Sequence, residues 1–465
     1  MKKVLLVILC SIGFVVQAEV KLPSIFSSNM VLQRNTKINI WGWATPGEKL
    51  IVSASWLEKS KQIKVSENGK WILQLKTTNT KEPQRIEITG DNSEINLNNI
   101  FFGEVWLCSG QSNMAWRIVQ PLKKRSVKIK DADALIESSG LCKIRVFRIP
   151  GTARLTPQDT IEGAWQEASS LTTPNFSAVA YSFAEMLEQT LDVPVGIIVS
   201  AVGGSKVEAW MNVESIQKFP ELILPTKIEG KTNKQPNLLY NAMIHPLIGY
   251  TIKGVIWYQG EANRDNPMLY SHLFPELIRQ WRREWKQRDL PFYYAQIAPF
   301  SYSDGLSTHI REVHLNTLQK LRNTGMAVTM DVGEQRGIHP LKKRIVGHRL
   351  ALWALAKNYG KKNMVYSGPQ YKSHKIKGSR MLVEFDYTFG GLQLQASNSV
   401  NFEVAGSDKM FHPAKVLIHS DNTLEVWSEK VSKPVALRYA FSDWAVGTLF
   451  NKDGLPASSF RTDNW

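Results

Sequence analysis

Apolar and polar positions along this chain follow three successive rhythms. From Glu19 to about Ile100 the period is two: Ile38 and Ile40 stand between polar neighbours, and 63–65 faces 71–75 across Asn68-Gly69. A period of two puts one side of a strand on a core and the other in water, and Asn-Gly supplies the positive φ values of a tight hairpin. This stretch is predicted to be a small β-sandwich, with Pro46-Gly47 marking another turn.

After Phe102 the rhythm changes. Short apolar runs at 105–108, 195–199, 255–258, 292–297 and 327–332 are strand candidates. Between or after them, Val179, Phe183, Met186 and Leu187 recur at helical spacing, as do Phe274, Ile278, Trp281 and Trp285, and Val346, Leu350, Trp353 and Ala354. Strands alternating with amphipathic helices predict an α/β class with a mostly parallel sheet covered on both faces, in which ligands bind at the carboxyl ends of the strands. From about Met364 the period of two returns, at 381–385, Leu392 and Leu394, Val416 and Ile418, and Leu424 and Val426. The expected division is therefore a β-sandwich at 19–101, an α/β domain at 102–362 and a β-rich domain at 363–465.

The first residues interrupt this scheme. Lys2 and Lys3 precede the apolar run 4–16, and Gln17-Ala18 offers a small residue for cleavage, so 1–18 reads as an export signal and the mature chain as periplasmic or extracellular. No later run approaches the ~20 apolar residues of a transmembrane helix, which argues against stable membrane insertion after the signal is removed. Cys10 lacks the small residues expected before a lipidated cysteine. Cys108 and Cys142 remain, as one disulfide or as two free thiols. The formal charge is +16, or +14 once Lys2 and Lys3 leave with the leader, and the basic residues are dispersed, so no nucleic-acid partner is expected. No CxxC pair or HExxH helix is present, and a metal hydrolase is unsupported. The sequence carries no pattern that sets an oligomeric state.

Candidate chemistry gathers after four strand candidates. Acyl transfer from an ester needs a nucleophile, a base, and donors aimed at the oxyanion of the tetrahedral intermediate. Gly110-Gln111-Ser112-Asn113 follows the first strand, where Ser112 can open a helix with its hydroxyl exposed and its N–H free; taken alone, such a serine is more often a helix cap. Gly203-Gly204-Ser205 follows 195–199, and an N–H of Gly204, or of Gly203, can complete an oxyanion hole; the bland reading is a tight turn. Gln259-Gly260-Glu261-Ala262-Asn263 follows 255–258; Asn263 can present a neutral amide donor and Glu261 can orient neighbours, against the reading of an ordinary polar loop. Ile338-His339-Pro340 follows the last strand, just ahead of a helix expected at 341–357, and is otherwise a capping or surface histidine. Each cluster is weak singly, but together they supply every role.

With these residues in hand, the chain resembles the sialate O-acetylesterase group of the SGNH (GDSL-like) hydrolases. The matching stretches are GEVWLCSGQSNM, AVGGSKVEAWM, LYNAMIHPL, VIWYQGEAN and GIHPLKKRIVGHRLAL, in the family's order over about 103–356. MVLQRNTKINIWGWATPGE and GLPASSFRTD resemble its flanking β regions. The resemblance implies an SGNH-type three-layer αβα catalytic domain, flanked by β domains. It further implies Ser112 as nucleophile, His339 as base, and an oxyanion hole of the Ser112 N–H, Gly204 and Asn263, with Gln111, Glu261 and Asn241 shaping the substrate site. It implies no metal and no organic cofactor. One departure stands out: many SGNH hydrolases carry Asp three residues before the histidine, and here Arg336 occupies that position. Asp331 and Glu334 on the same loop are alternative third members, and a Ser-His dyad is the other possibility.

The expectation that results is an exported serine esterase removing O-acetyl groups from sialic acids, with an O-acetylated carbohydrate as its partner. The alternatives are an esterase acting on acetylxylan or another polysaccharide, and a glycan-binding protein without catalysis.

Overall fold

One strand, β1 (Glu94–Gly110), organises the molecule. The structure, a computed structural model, describes residues 19–395 and 401–465; the leader read at 1–18 lies outside the described residues. The first part of β1 pairs antiparallel with Gln84–Thr89 in the N-terminal β region, and its second part enters the central sheet. The division expected between 101 and 102 therefore falls inside a continuous strand.

The central sheet continues with β2 (Ile144–Arg148), β3 (Trp165–Glu167), β4 (Val195–Ala201), β5 (Gly254–Tyr258), β6 (Phe292–Ala295) and β7 (Thr324–Ala327), in the order β3-β2-β4-β1-β5-β6-β7. Neighbours run parallel throughout except at the edge, where β3 is antiparallel to β2. Successive side chains of a strand point to opposite faces. Val105 and Leu107 accordingly enter one core while Trp106 and Cys108 enter the other, and Trp257 and Tyr294 are divided in the same way from Ile256 and Tyr293. With both faces covered, these strands read as unbroken apolar runs rather than alternating ones.

Five helices matter for the site: α1 (Ser112–Ala115), α2 (Ala178–Leu191), α3 (Pro267–Glu284), α4 (Leu306–Lys320) and α5 (Lys343–Asn358). Phe274, Ile278 and Trp281 of α3 and Ile310 of α4 pack on the Val105 face, whereas Val179 and Phe183 of α2 and Leu350 and Trp353 of α5 pack on the Trp106 face. The result is three layers. α2 and α5 approach so closely that a Cβ at Gly347 would stand 2.6 Å from the Val179 carbonyl oxygen.

Two sequence expectations are corrected. The Asn68-Gly69 turn forms, with Gly69 at φ +77° and its N–H on the Ser66 carbonyl, but its arms do not make a paired hairpin. Lys61–Lys64 pairs with Lys49–Ala54, and Lys70–Lys76 pairs with Lys37–Trp43. Turn chemistry fixes a local reversal; burial in a sandwich then chooses each strand's partner. The strand expected at 327–332 ends where it was to begin, at Ala327. Val328, Met330 and Val332 are buried as expected, but in a loop whose backbone bonds elsewhere, Met330 O accepting from the Gly447 N–H.

In the C-terminal region, Gln370–Lys377, Arg380–Asp386, Leu424–Trp427 and Lys415–Ile418 form one sheet and Phe411–Pro413, Phe402–Ala405, Ala436–Tyr439 and Phe460–Arg461 another. Fully buried Arg311 of α4 fastens this region to the α/β layers by donating to Ser459 Oγ at 3.2 Å and to the Ser442 carbonyl. Cys108 and Cys142 are both free thiols. Among the described residues no helix is long and apolar enough to cross a membrane.

Candidate active site

The nucleophile turn is built by close backbone contact. Gly110, the last residue of β1, has φ +131°, and a side chain there would collide with the Tyr258 carbonyl group. The Gln111 N–H donates to that same carbonyl oxygen at 2.9 Å, after which the chain turns into α1 with Ser112 as its first residue. The Gln111 side chain is buried, its Oε1 accepting from the N–H groups of Ala262 at 3.2 Å and Gly260 at 3.4 Å. Gln111 thus ties the serine turn to the loop after β5.

The glycine turn after β4 lies alongside. Val202 N–H donates to Gly110 O, and a Cβ built on Gly203 would stand 3.6 Å from Ser112 Cβ. Gly204 has φ +67°, a left-handed conformation that favours glycine. Among the described residues, the N–H groups of Ser112 and Gly204 donate to no other group.

Asn263 is buried, and its amide is oriented by three partners. Its Oδ1 accepts from the Val207 N–H at 2.9 Å and Gln259 Nε2 at 2.7 Å, which leaves Nδ2 to donate to Glu208 Oε2 at 2.8 Å. An amide nitrogen carries two hydrogens, so one remains for a ligand. Burial pushes the Glu208 carboxyl above the usual carboxylate range.

His339 lies against Trp116, the residue that closes α1, with ring centroids 4.5 Å apart and planes inclined by 26°. Burial, and then the Lys343 charge, depress its basicity to about 4. An imidazole in this state is neutral at ordinary pH and free to accept a proton. Behind it, Asn113 is fully buried: Nδ2 donates to Glu261 Oε1 at 2.6 Å and to the Ile338 carbonyl at 3.2 Å, and Oδ1 accepts from the buried Lys343 Nζ.

The acidic candidates near His339 have other partners. Asp331 is held bidentately by Arg349 at 2.6 and 2.7 Å. Glu334 Oε1 accepts from the Leu341 N–H at 2.8 Å, while its Oε2 stands 2.8 Å from where a Gly337 Cβ would be, so this carboxylate spans the turn that carries His339. Asn241, buried to 1% exposure, uses its Nδ2 on Asn237 Oδ1 and on the carbonyls of Arg154 and Leu155, and so pins that loop.

Four residues escaped the sequence reading: Asn113, Trp116, Glu208 and Lys343. Asn113 adjoins Ser112 in GEVWLCSGQSNM, Trp116 follows two residues beyond that stretch, and Lys343 is the first residue of α5, four residues after His339. Glu208 lies within AVGGSKVEAWM, where nothing local marks it as the partner of Asn263.

A three-layer αβα fold with serine, glycine, amide and histidine loops following the carboxyl ends of its parallel strands has the architecture of a carboxylic ester hydrolase. The family described as "Carbohydrate esterase, sialic acid-specific acetylesterase" matches residues 102–354, more than half of the chain, and this chain belongs to it. Sialate O-acetylesterase from Mus musculus is 28% identical over 91% of this chain and 90% of its own length. The Homo sapiens enzyme is also 28% identical, over 91% and 88%. The crystal structure of a carbohydrate acetylesterase from Xanthomonas citri superposes with a TM-score of 0.88, at 36% identity, covering 96% of this chain and all of that one.

Proposed function

We propose that the protein hydrolyses O-acetyl esters of sialic acids through an acetyl-serine intermediate. The observation that carries this reading is the convergence of Trp116 on His339 and of Asn113 on the Ile338 carbonyl, which fastens the serine turn to the histidine loop on two sides. Ser112 Oγ attacks the acetyl carbonyl carbon as His339 takes its proton. The oxyanion is held by the N–H groups of Ser112 and Gly204 and by the second hydrogen of Asn263 Nδ2. As the C–O bond to the sugar breaks, the imidazolium returns the proton to the departing sugar oxygen. Water, deprotonated by the same imidazole, then attacks the acetyl-serine, and the imidazolium returns that proton to Ser112 Oγ as acetate leaves.

In this reading His339 acts without Asp331, whose carboxylate is matched to Arg349, and Glu334 frames the histidine turn through its backbone. Gln111 and Glu261 brace the site walls. The sialic acid assignment draws support from the family and from the sialate O-acetylesterases that the chain matches along most of its length, and the positive formal charge, +14 once Lys2 and Lys3 leave with the leader, suits an anionic sugar.

The first test is release of p-nitrophenol from p-nitrophenyl acetate by the wild type and by Ser112→Ala. The expected result is turnover by the wild type alone; if neither exceeds buffer while sugar binding persists, the protein is a glycan-binding module. A side-by-side assay on O-acetylated sialic acids and acetylated xylan then tests the substrate, and faster xylan deacetylation would overturn the sialic acid assignment. Export through 1–18 belongs to the same proposal: the secreted product should begin at Glu19 on N-terminal sequencing, and retention of Met1 would count against it.

A further inference from the structure

Beneath the reacting groups lies a buried polar chain that acyl transfer does not itself require. Asn113, Lys343 and Glu261 come from α1, α5 and the loop after β5, and their exposures are 0%, 0% and 7%. Removing an ammonium and a carboxylate from water is costly unless each is hydrogen-bonded, so such a group needs an explanation. Here the Asn113 amide stands between them. An ammonium can only donate and a backbone carbonyl can only accept, so the amide has one workable orientation, with Oδ1 to Lys343 and Nδ2 to the Ile338 carbonyl and Glu261. A flipped amide would set N–H against ammonium and oxygen against two acceptors.

We propose that Lys343, acting through Asn113, is a positioning residue that holds the serine turn and the histidine loop in register and sets a like charge beside the His339 ring. The inference rests on the Ser112–His339 reading above. Geometry supports it because Asn113 adjoins Ser112, Ile338 adjoins His339, and the one amide touches both segments. Lys343 also opens α5 four residues beyond His339, and its charge opposes protonation of the ring. Facing Lys343 are Glu261 and Glu334, whose charges support its ammonium, the Tyr258 ring 5.6 Å from Nζ, and His339. Burial outweighs the two carboxylates and depresses the lysine to about 7.

The test is the pH profile of kcat/KM for p-nitrophenyl acetate in Lys343→Met, Lys343→Arg and Asn113→Ala, beside wild type and Ser112→Ala. Lys343→Met is expected to lower kcat at least about tenfold with KM within about threefold, because Lys343 and Asn113 are fully buried. Its acid limb should move to higher pH, since the charge opposing the imidazolium is gone. Lys343→Arg should keep the limb near its wild-type position, a distinction that a purely structural role would not produce. Asn113→Ala, should Lys343→Met fail to fold, is expected to lower kcat comparably while Lys343 still restrains the limb. Wild-type kcat and an unmoved limb in Lys343→Met would overturn the proposal while leaving the serine mechanism standing. Full turnover by Ser112→Ala would overturn both.

Discussion

Trp116 and His339 lie nearly face to face, their planes 26° apart and their centroids separated by 4.5 Å. The indole shields the imidazole from water, and burial is the larger of the two influences that depress its basicity to about 4. A base works only when deprotonated, so kcat/KM should climb as pH rises through about 4 and then level off. Trp116→Ala uncovers the ring and should move that climb toward the ordinary histidine value of about 6.5. The lost ring–cation attraction, worth about 0.5–2 kcal/mol, pulls the other way and is the smaller influence. Trp116→Phe should move the limb less. A limb in Trp116→Ala that stays put or falls would refute the shielding role.

Asn263 offers a second measurable quantity. Loss of one oxyanion donor costs about 10²–10³ in kcat, and Asn263→Ala should fall in that range with KM little changed. Glu208 fixes the amide from behind at 2.8 Å, so Glu208→Gln should lower kcat by a smaller factor, about tenfold. Combining the two changes tests whether they share one pathway: the double variant should be no slower than Asn263→Ala alone. Multiplied losses would mean that Glu208 acts elsewhere.

How far the sequence discloses all this varies with the kind of force involved. Strands buried on both faces leave continuous apolar runs, which is why 105–108, 195–199 and 255–258 stand out, and amphipathic α2, α3 and α5 leave their own period. The polar loops after those strands are legible because glycine, asparagine and histidine at strand ends have few structural uses in common. Pairing is less legible: Ile63 and Val65 suit several partners, and nothing local says that Lys61–Lys64 will choose Lys49–Ala54. Contacts between distant segments are silent altogether. Glu208 behind Asn263, and Arg349 on Asp331, exist only once the chain has folded.

Gly110 joins fold to chemistry at one backbone position. Its φ of +131° and the Tyr258 carbonyl in the path of any Cβ leave no room for a side chain. Gly110→Ala must displace either the serine turn or β5, and strained substitutions of this kind cost about 1–3 kcal/mol or more. The expected outcome is a lower Tm together with a kcat reduced by over about tenfold, since the displaced turn carries Ser112. Calorimetry and kinetics that both match wild type would show that the turn tolerates what the geometry forbids.

Asp331 and Glu334 lie three residues apart and should respond differently to loss of charge. Arg349 engages Asp331 through two short bonds, with side-chain exposures of 9% for the arginine and 21% for the aspartate. Breaking a fully buried pair costs about 3–5 kcal/mol and an exposed one about 1 kcal/mol or less, so Asp331→Asn should lose about 2–3 kcal/mol, visible as a reduced Tm. Its kcat should stay within about threefold of wild type, because the carboxylate is directed at α5 rather than at the imidazole. Glu334→Gln keeps an oxygen for the Leu341 N–H and should lose less than about tenfold, whereas Glu334→Ala releases the histidine turn and should lose more. A triad carboxylate stabilises the imidazolium by its charge, and removing that charge costs about 10⁴ in kcat. If Glu334→Gln falls that far with its Tm unchanged, Glu334 is a third triad member and the Ser-His pair is incomplete without it.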